Sequence, residues 1–358
     1  MKKNLISLLF FVSLLSLLGQ ASFAQDIKDR IKVGGLMFAD YFFNIDNVDG
    51  NVKNVNGFQF RRIYLTTDIS VAENFDSRFR LETDQSTNSN TASGKLGVMV
   101  KDAYLKWKGI FSGSDLVFGI SPTPAFDVSE AAWSYRSLEK TIMDLNGIVG
   151  SRDFGVDLKG KITDAGSVNY WVKIANNSSN GPETDKHKRY YALVQVKPAD
   201  GFQATLYYDY ASLVDVTDNI DKTSKPNSVY VVALFLNYQQ KSDFALGFEG
   251  FTRSWANKYR PTLTSVLNDQ NTMGLSFWAW VSVTENLRLV GRYDSFDPNS
   301  DIDNDKVGLI IAGLDYKVAK NVSIIPNVEI TSYQKPVNAN GSTSSSNFVG
   351  RVTLAFTF

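Results

Sequence analysis

Arginines recur at alternate positions of several short segments, and the chemistry of such a row is the recognition of oxyanions. Successive residues of an extended segment point to opposite sides. On that count Arg62, Arg78, Arg80, Arg288, Arg292 and Arg351 share the polar side of their segments. Arg136 and Lys140 fall in a long intervening stretch, 121–150. A guanidinium presents a planar fork of donors that fits phosphate or carboxylate by paired, charge-assisted hydrogen bonds. The same polar sides also carry Glu82, Asp84, Asp102, Asp153, Asp157, Asp209, Asp294 and Glu329. Two readings therefore stand: an anion track, or opposite charges paired across neighbouring segments. Within 121–150, Arg136 and Lys140 face Asp127, Glu130, Glu139 and Asp144, which is net acidic. Phosphate selectivity does not follow from these residues alone.

Other chemistry finds little to work with. The chain has one histidine, His187, and no cysteine, so sites of several imidazoles or any thiolate are excluded. No serine sits in a nucleophile motif for His187 to serve, and no glycine loop is shaped to cradle phosphate. Asp297, Asp301, Asp303 and Asp305 could bind calcium at a rim, but their spacing lacks the full loop pattern of a helix–loop–helix calcium site and reads first as an ordinary solvated loop. Tyr64, Tyr104, Trp171, Tyr207, Trp278 and Trp280 share the polar side. They could stack sugar rings, or they could brace whatever fills the interior. No cofactor and no metal is expected.

The elements that must position these residues are strands. Sixteen alternating segments can be drawn from 31–43 to 347–358. Tight turns such as 72–76, 198–201, 284–286 and 318–321 alternate with long polar stretches, including 44–57, 121–150, 211–227, 253–271 and 334–346. In the last segment Phe348, Val352, Leu354, Phe356 and Phe358 form one side, and Arg351, Thr353 and Thr357 the other. Pro326 has no N–H for a ladder, so a bulge or local break is expected there. Strands with one apolar and one polar face, joined by alternately short and long connections, describe an all-β, 16-stranded antiparallel transmembrane β-barrel. Its short turns would be periplasmic and its long loops extracellular. A barrel of this size leaves an aqueous channel.

Export is read from the other end. Lys2 and Lys3 precede an apolar run from Leu5 to Leu18, and Ser22-Phe-Ala24 supplies small residues before a cut at Gln25. Residues 1–24 are therefore expected to be a signal peptide and 25–358 the barrel. Lys and Arg number 37 against 37 Asp and Glu, which offers no basic surface for nucleic acid. Aromatics reach 13%, with 24 Phe and 16 Tyr, as two girdles at the lipid–water boundaries would require.

Two blocks add a family resemblance. The first is Gly57-Phe-Gln-Phe-Arg-Arg-Ile-Tyr-Leu65. The second runs from Phe118-Gly-Ile-Ser-Pro-Thr-Pro-Ala-Phe-Asp127 through Tyr135-Arg-Ser-Leu-Glu139 to Gly150-Ser-Arg-Asp-Phe-Gly-Val-Asp-Leu-Lys-Gly160. Together they resemble the phosphate-selective porin O and P family of Gram-negative outer membranes. The resemblance implies an outer-membrane porin, usually a homotrimer, passing small hydrophilic solutes or anions. It also implies that the third long loop, here 121–150, folds inward and narrows the pore. Asp127 and Glu130 have the spacing of a capping box that could start a short helix toward Asp144. The alternative reading is a plugged barrel whose extracellular loops bind a partner.

Overall fold

The computed structural model describes residues 30–85 and 96–358. The expected signal peptide and the polar loop tip 86–95 lie outside the described residues. The first eight strands are β1 (Ile31–Asp46), β2 (Asn56–Ala72), β3 (Phe75–Thr83), β4 (Met99–Phe111), β5 (Ser114–Pro122), β6 (Arg152–Lys161), β7 (Val168–Ala175) and β8 (Arg189–Ala199). The remainder are β9 (Phe202–Thr217), β10 (Ser224–Gln240), β11 (Phe244–Tyr259), β12 (Asn268–Ser282), β13 (Leu287–Asp297), β14 (Val307–Ala319), β15 (Val322–Tyr333) and β16 (Ser346–Thr357). Each pairs antiparallel with its sequence neighbours, and β1 closes on β16 through pairs such as Leu36 with Thr357. Closure leaves no sheet edge, which hydrocarbon demands because it cannot hydrogen-bond a free backbone.

Alternation of side chains sets the two faces. Along β12, Thr272, Gly274, Ser276, Trp278 and Trp280 are buried in the lumen, while Met273, Leu275, Phe277 and Val281 face outward. The outer surface carries aromatic rows near both ends of the strands. Tyr190, Tyr210 and Tyr230 are adjacent across β8, β9 and β10 on the long-loop side. Phe75 stacks on Trp107 at 5.4 Å, and Tyr238 lies 5.8 Å from Phe244, on the short-turn side. Amphipathic rings at these two levels suit the boundaries between lipid and water.

Two of the expected long loops are shorter than the sequence suggests. Strands β9 and β10 run on to Thr217 and from Ser224, so 211–227 contracts to 218–223; likewise 253–271 contracts to 260–267. Polar residues there still complete a ladder, because the hairpins project past the apolar belt and their outer faces meet water. At Pro326 the β14–β15 pairs are interrupted between Gly313–Asn327 and Tyr316–Ile324 with no change of register. The proline therefore makes a local break and not a bulge.

Candidate functional site

Residues 123–151, between β5 and β6, fold into the barrel and carry two short helices, α1 (Asp127–Trp133) and α2 (Ile142–Leu145). The capping box does not form. Phe126 occupies the cap position, Asp127 is already helical, and no side chain caps the helix. Ser134 then takes a left-handed conformation (φ 56°), so α1 ends well before Asp144.

Apolar contact holds this loop to one side of the lumen. Phe126, Ile142, Met143, Ile148 and Val149 pack against Trp171, Leu193, Tyr207, Val231 and Phe251 of the β7–β11 wall. Trp133, Tyr135 and Leu138 pack against Phe235, Trp278, Trp280, Val290, Ile311 and Ile325 of the β10–β15 wall. The rings of Trp133 and Trp278 lie 5.6 Å apart. Trp278 can lie flat there because Gly247 beneath it has no side chain: a Cβ would stand 2.1 Å from the indole. Tyr135 donates its hydroxyl to Asp315 at 3.0 Å. Burial, and then the Asp315 charge, push the Tyr135 phenol well above its ordinary value, so it is a lasting donor. The inward aromatics are thus mostly covered by the loop and brace it, and Trp171, Tyr207, Trp278 and Trp280 offer no exposed track for sugar rings.

The opposite side of the loop faces a charged wall across a cavity of about 460 Å³. Six basic residues line it: Arg61, Arg62, Lys101, Arg136, Lys140 and Arg152. Five carboxylates accompany them: Glu82, Asp84, Glu130, Glu139 and Asp144. Arg62 lies 3.2 Å from Glu82, whose other oxygen is 2.9 Å from Lys101. Arg136 bridges Glu130 at 3.3 Å and Asp144 at 3.5 Å. Burial, and next the nearby Arg62 charge, hold the Arg136 guanidinium below the usual arginine value. Two cationic side chains from loop and wall thus feel each other across the passage.

The expected anion residues separate into groups. Arg62, Arg136 and Lys140 meet at this cavity. Arg80 lies next to it, 3.2 Å from Asp102 and 2.8 Å from Thr66 Oγ1, and with Arg62 it sandwiches the Tyr64 ring, each guanidinium 4.9 Å from the centroid. Arg78 is nearer the short turns, forked onto Asp68 at 2.6 and 2.9 Å beside a second cavity of about 270 Å³. Arg351 pairs with Glu329 at 2.6 Å. Arg288 and Arg292 point inward but do not reach the charged cavity. Arg288 stacks on Trp280 at 4.1 Å, and Arg292 is forked onto Asp294 and donates to the carbonyl of Lys140 from behind the loop. Most of these charges are therefore paired across neighbouring strands, and Arg292 serves as a tether for the loop.

Strict alternation missed Arg61, Lys101 and Arg152. Arg61 lies 2.6 Å from Asp40 and donates to the carbonyls of Ser137 and Leu138, fastening the loop to the charged wall. It points inward beside Arg62 because the β1–β2 register slips between Phe38 and Ala39, skipping Arg61. A second slip, between Arg80 and Leu81, turns both Lys101 and Asp102 inward. Each slip leaves a trace in sequence. Phe58, 86% exposed on the outer face, is in phase with inward Arg62 and out of phase with outward Leu65. Val100 is likewise out of phase with Leu105. Arg152 opens β6 and donates to Asp102, its position fixed by the loop's exit.

Comparison with known proteins agrees with the barrel fold. Residues 31–126 match the family model for phosphate-selective porin O and P. Among solved structures, the barrel is similar to an anion-selective porin from Comamonas acidovorans, at TM-score 0.64 and 14% identity, covering 92% of this chain and 99% of that one. Salmonella typhi OmpF, solved in complex with daunomycin, gives TM-score 0.63 at 13% identity, with 92% and 97% covered. The trimer form of Vibrio cholerae OmpT gives 0.57 at 15% identity, with 92% and 99% covered. At these identities the likeness is one of fold. No curated protein matches the sequence.

Proposed function

We propose that this chain, with its match to phosphate-selective porin O and P, is an outer-membrane porin through which small hydrophilic solutes diffuse passively, anions preferentially. The observation that carries the reading is the passage between loop and wall, where six basic side chains meet five acidic ones inside a closed 16-stranded barrel. Asp40 and Asp102, which pair with Arg61 and Arg152, are buried behind the lining, so the basic side chains presented to the passage raise the local concentration of anions without requiring a basic protein. Selectivity would arise at Arg61, Arg62, Lys101, Arg136, Lys140 and Arg152. Arg80 and Arg78 would continue the basic wall toward the short turns. A homotrimer in the outer membrane of a Gram-negative bacterium, exported by the leader 1–24, completes the proposal; the family resemblance and the leader's composition support it.

Single-channel recording in planar bilayers tests the reading. Ohmic steps are expected, with a reversal potential of anionic sign under a salt gradient. Replacing Arg62 and Arg136 together by Gln should move that potential toward zero or reverse it. An unchanged potential removes these residues from selectivity. Absence of steps from a folded barrel would favour a plugged barrel, in which the two apolar clusters hold the loop as a permanent stopper.

A further inference from the structure

Away from the charged passage, a third chamber of about 810 Å³ lies between α1 and the short-turn ends of β8, β9 and β10. Its chemistry differs. Its charged residues balance, Asp127 and Asp200 against Lys197 and Lys241, and its strand wall carries four side-chain amides, Gln195, Gln203, Asn237 and Gln239. Three of them, Gln195, Gln203 and Asn237, join Asn169 in a relay across four adjacent strands. Asn169 Nδ2 donates to Gln195 Oε1 at 3.3 Å, Gln195 Nε2 to Gln203 Oε1 at 3.1 Å, and Gln203 Nε2 to Asn237 Oδ1 at 3.5 Å. Asn237 Nδ2 ends the chain on the carbonyl of Leu246 at 2.9 Å. An amide has two N–H donors and two acceptor lone pairs. Gln195 and Gln203 each use one donor and one acceptor in the relay and keep one of each. Opposite them, Val128, Ala131 and Ala132 of α1 supply an apolar ceiling.

We propose that this chamber is a subsite for neutral, polyhydroxylated solutes of disaccharide size. A sugar hydroxyl both donates and accepts, and the amide relay offers both functions at neighbouring points in fixed orientation. Preorganised partners lower the cost of binding. The carbon-bound faces of the sugar rings would lie against the alanines of α1. Balanced charge gives an ion no reason to settle there, and the volume lies within the range of about 300–1,000 Å³ typical of small-molecule sites. The loop thereby divides the lumen: one side of it selects by charge and the other holds neutral solutes. The inference rests on the porin reading for its physiological meaning, but binding itself does not.

The test uses the full-length protein and maltose as probe, added on the short-turn side during single-channel recording, with calorimetric titration of detergent-purified protein in parallel. Two variants probe the two walls. Gln203→Leu removes one relay amide, and Ala131→Trp fills the space beneath the ceiling from an exposed helix position. Wild-type channels should show maltose-dependent current interruptions and a calorimetric signal, and both variants should weaken each by tenfold or more. No interruptions and no heat with wild type overturn the proposal while open channels leave the porin reading intact. Interruptions that survive both variants also overturn it, by placing the sugar elsewhere. If the folded barrel does not conduct, the porin reading fails, and calorimetry alone decides the subsite.

Discussion

Arg61 joins more parts of the passage than any other basic residue. Its guanidinium pairs with Asp40, fully buried on β1, and reaches across to two loop carbonyls. Removing one partner of a buried pair leaves the other charge uncompensated, at a cost of about 3–5 kcal/mol. Arg351, 3.8 Å from Asp40, remains as a weaker partner, so Arg61→Ala should lower the free energy of unfolding in urea by about 1–3 kcal/mol, and should add current noise as the loop loses a tether. A quiet trace with unchanged stability would mean that the apolar clusters alone hold the loop. Gly247→Val acts on the same loop from the other side. The new side chain would displace the Trp278 ring and with it Trp133, so wider and fluctuating conductance is expected in bilayers. At this scale the sequence was only partly legible. Arg62, Arg136 and Lys140 could be placed at the passage from alternation and loop position, but Arg61 and Lys101 required recognising one-residue slips. A slip of one residue moves every side chain before it to the other face, and Phe58 and Val100 were the visible signs of it.

The strands themselves were legible because a barrel wall imposes alternation on every one of them: lipid meets one face and water or the loop meets the other. All sixteen appear in the structure, and their ends moved most where outer hairpins β9–β10 and β11–β12 extend beyond the apolar belt. The loop between β5 and β6 was harder, since no periodicity governs a segment whose environment is the inside of another element. Its helices follow burial of Trp133, Ile142 and Met143 more than any cap. That origin predicts its energetics. Large-to-small changes at buried aromatic positions cost about 3–5 kcal/mol, so Trp133→Ala should destabilise the loop's docking by that order. The barrel wall itself is held by its own ladder and should remain folded. Limited proteolysis checks this: cleavage within 123–151 should become fast while the barrel core stays protected. Cleavage throughout the chain would mean that loop and wall fold as one unit.

For the molecule as a whole, the outer belt and the inner charges obey different rules. Lipid contact makes the belt intolerant of charge, and Phe277 stands outward in the middle of β12. Phe277→Arg should destabilise the barrel by about 2–4 kcal/mol in a folding titration into lipid vesicles, whereas Val337→Arg in the β15–β16 loop should change little. The charges of the whole chain balance, 37 basic against 37 acidic, so any selectivity is a local field at the passage and not a property of net charge. A local field of largely paired charges is short in reach. The screening length is about 10 Å at 0.1 M salt and about 3 Å at 1 M, so at the higher salt the field is confined to contact range. Anion preference measured by reversal potential should therefore be clear near 0.1 M and fall toward unity near 1 M. Screening would not abolish direct coordination of a partly dehydrated anion by Arg62 and Arg136. A preference that persists at 1 M would thus assign selectivity to bound anions at those two arginines, and it would bring the passage closer to a dedicated oxyanion channel than to a general porin.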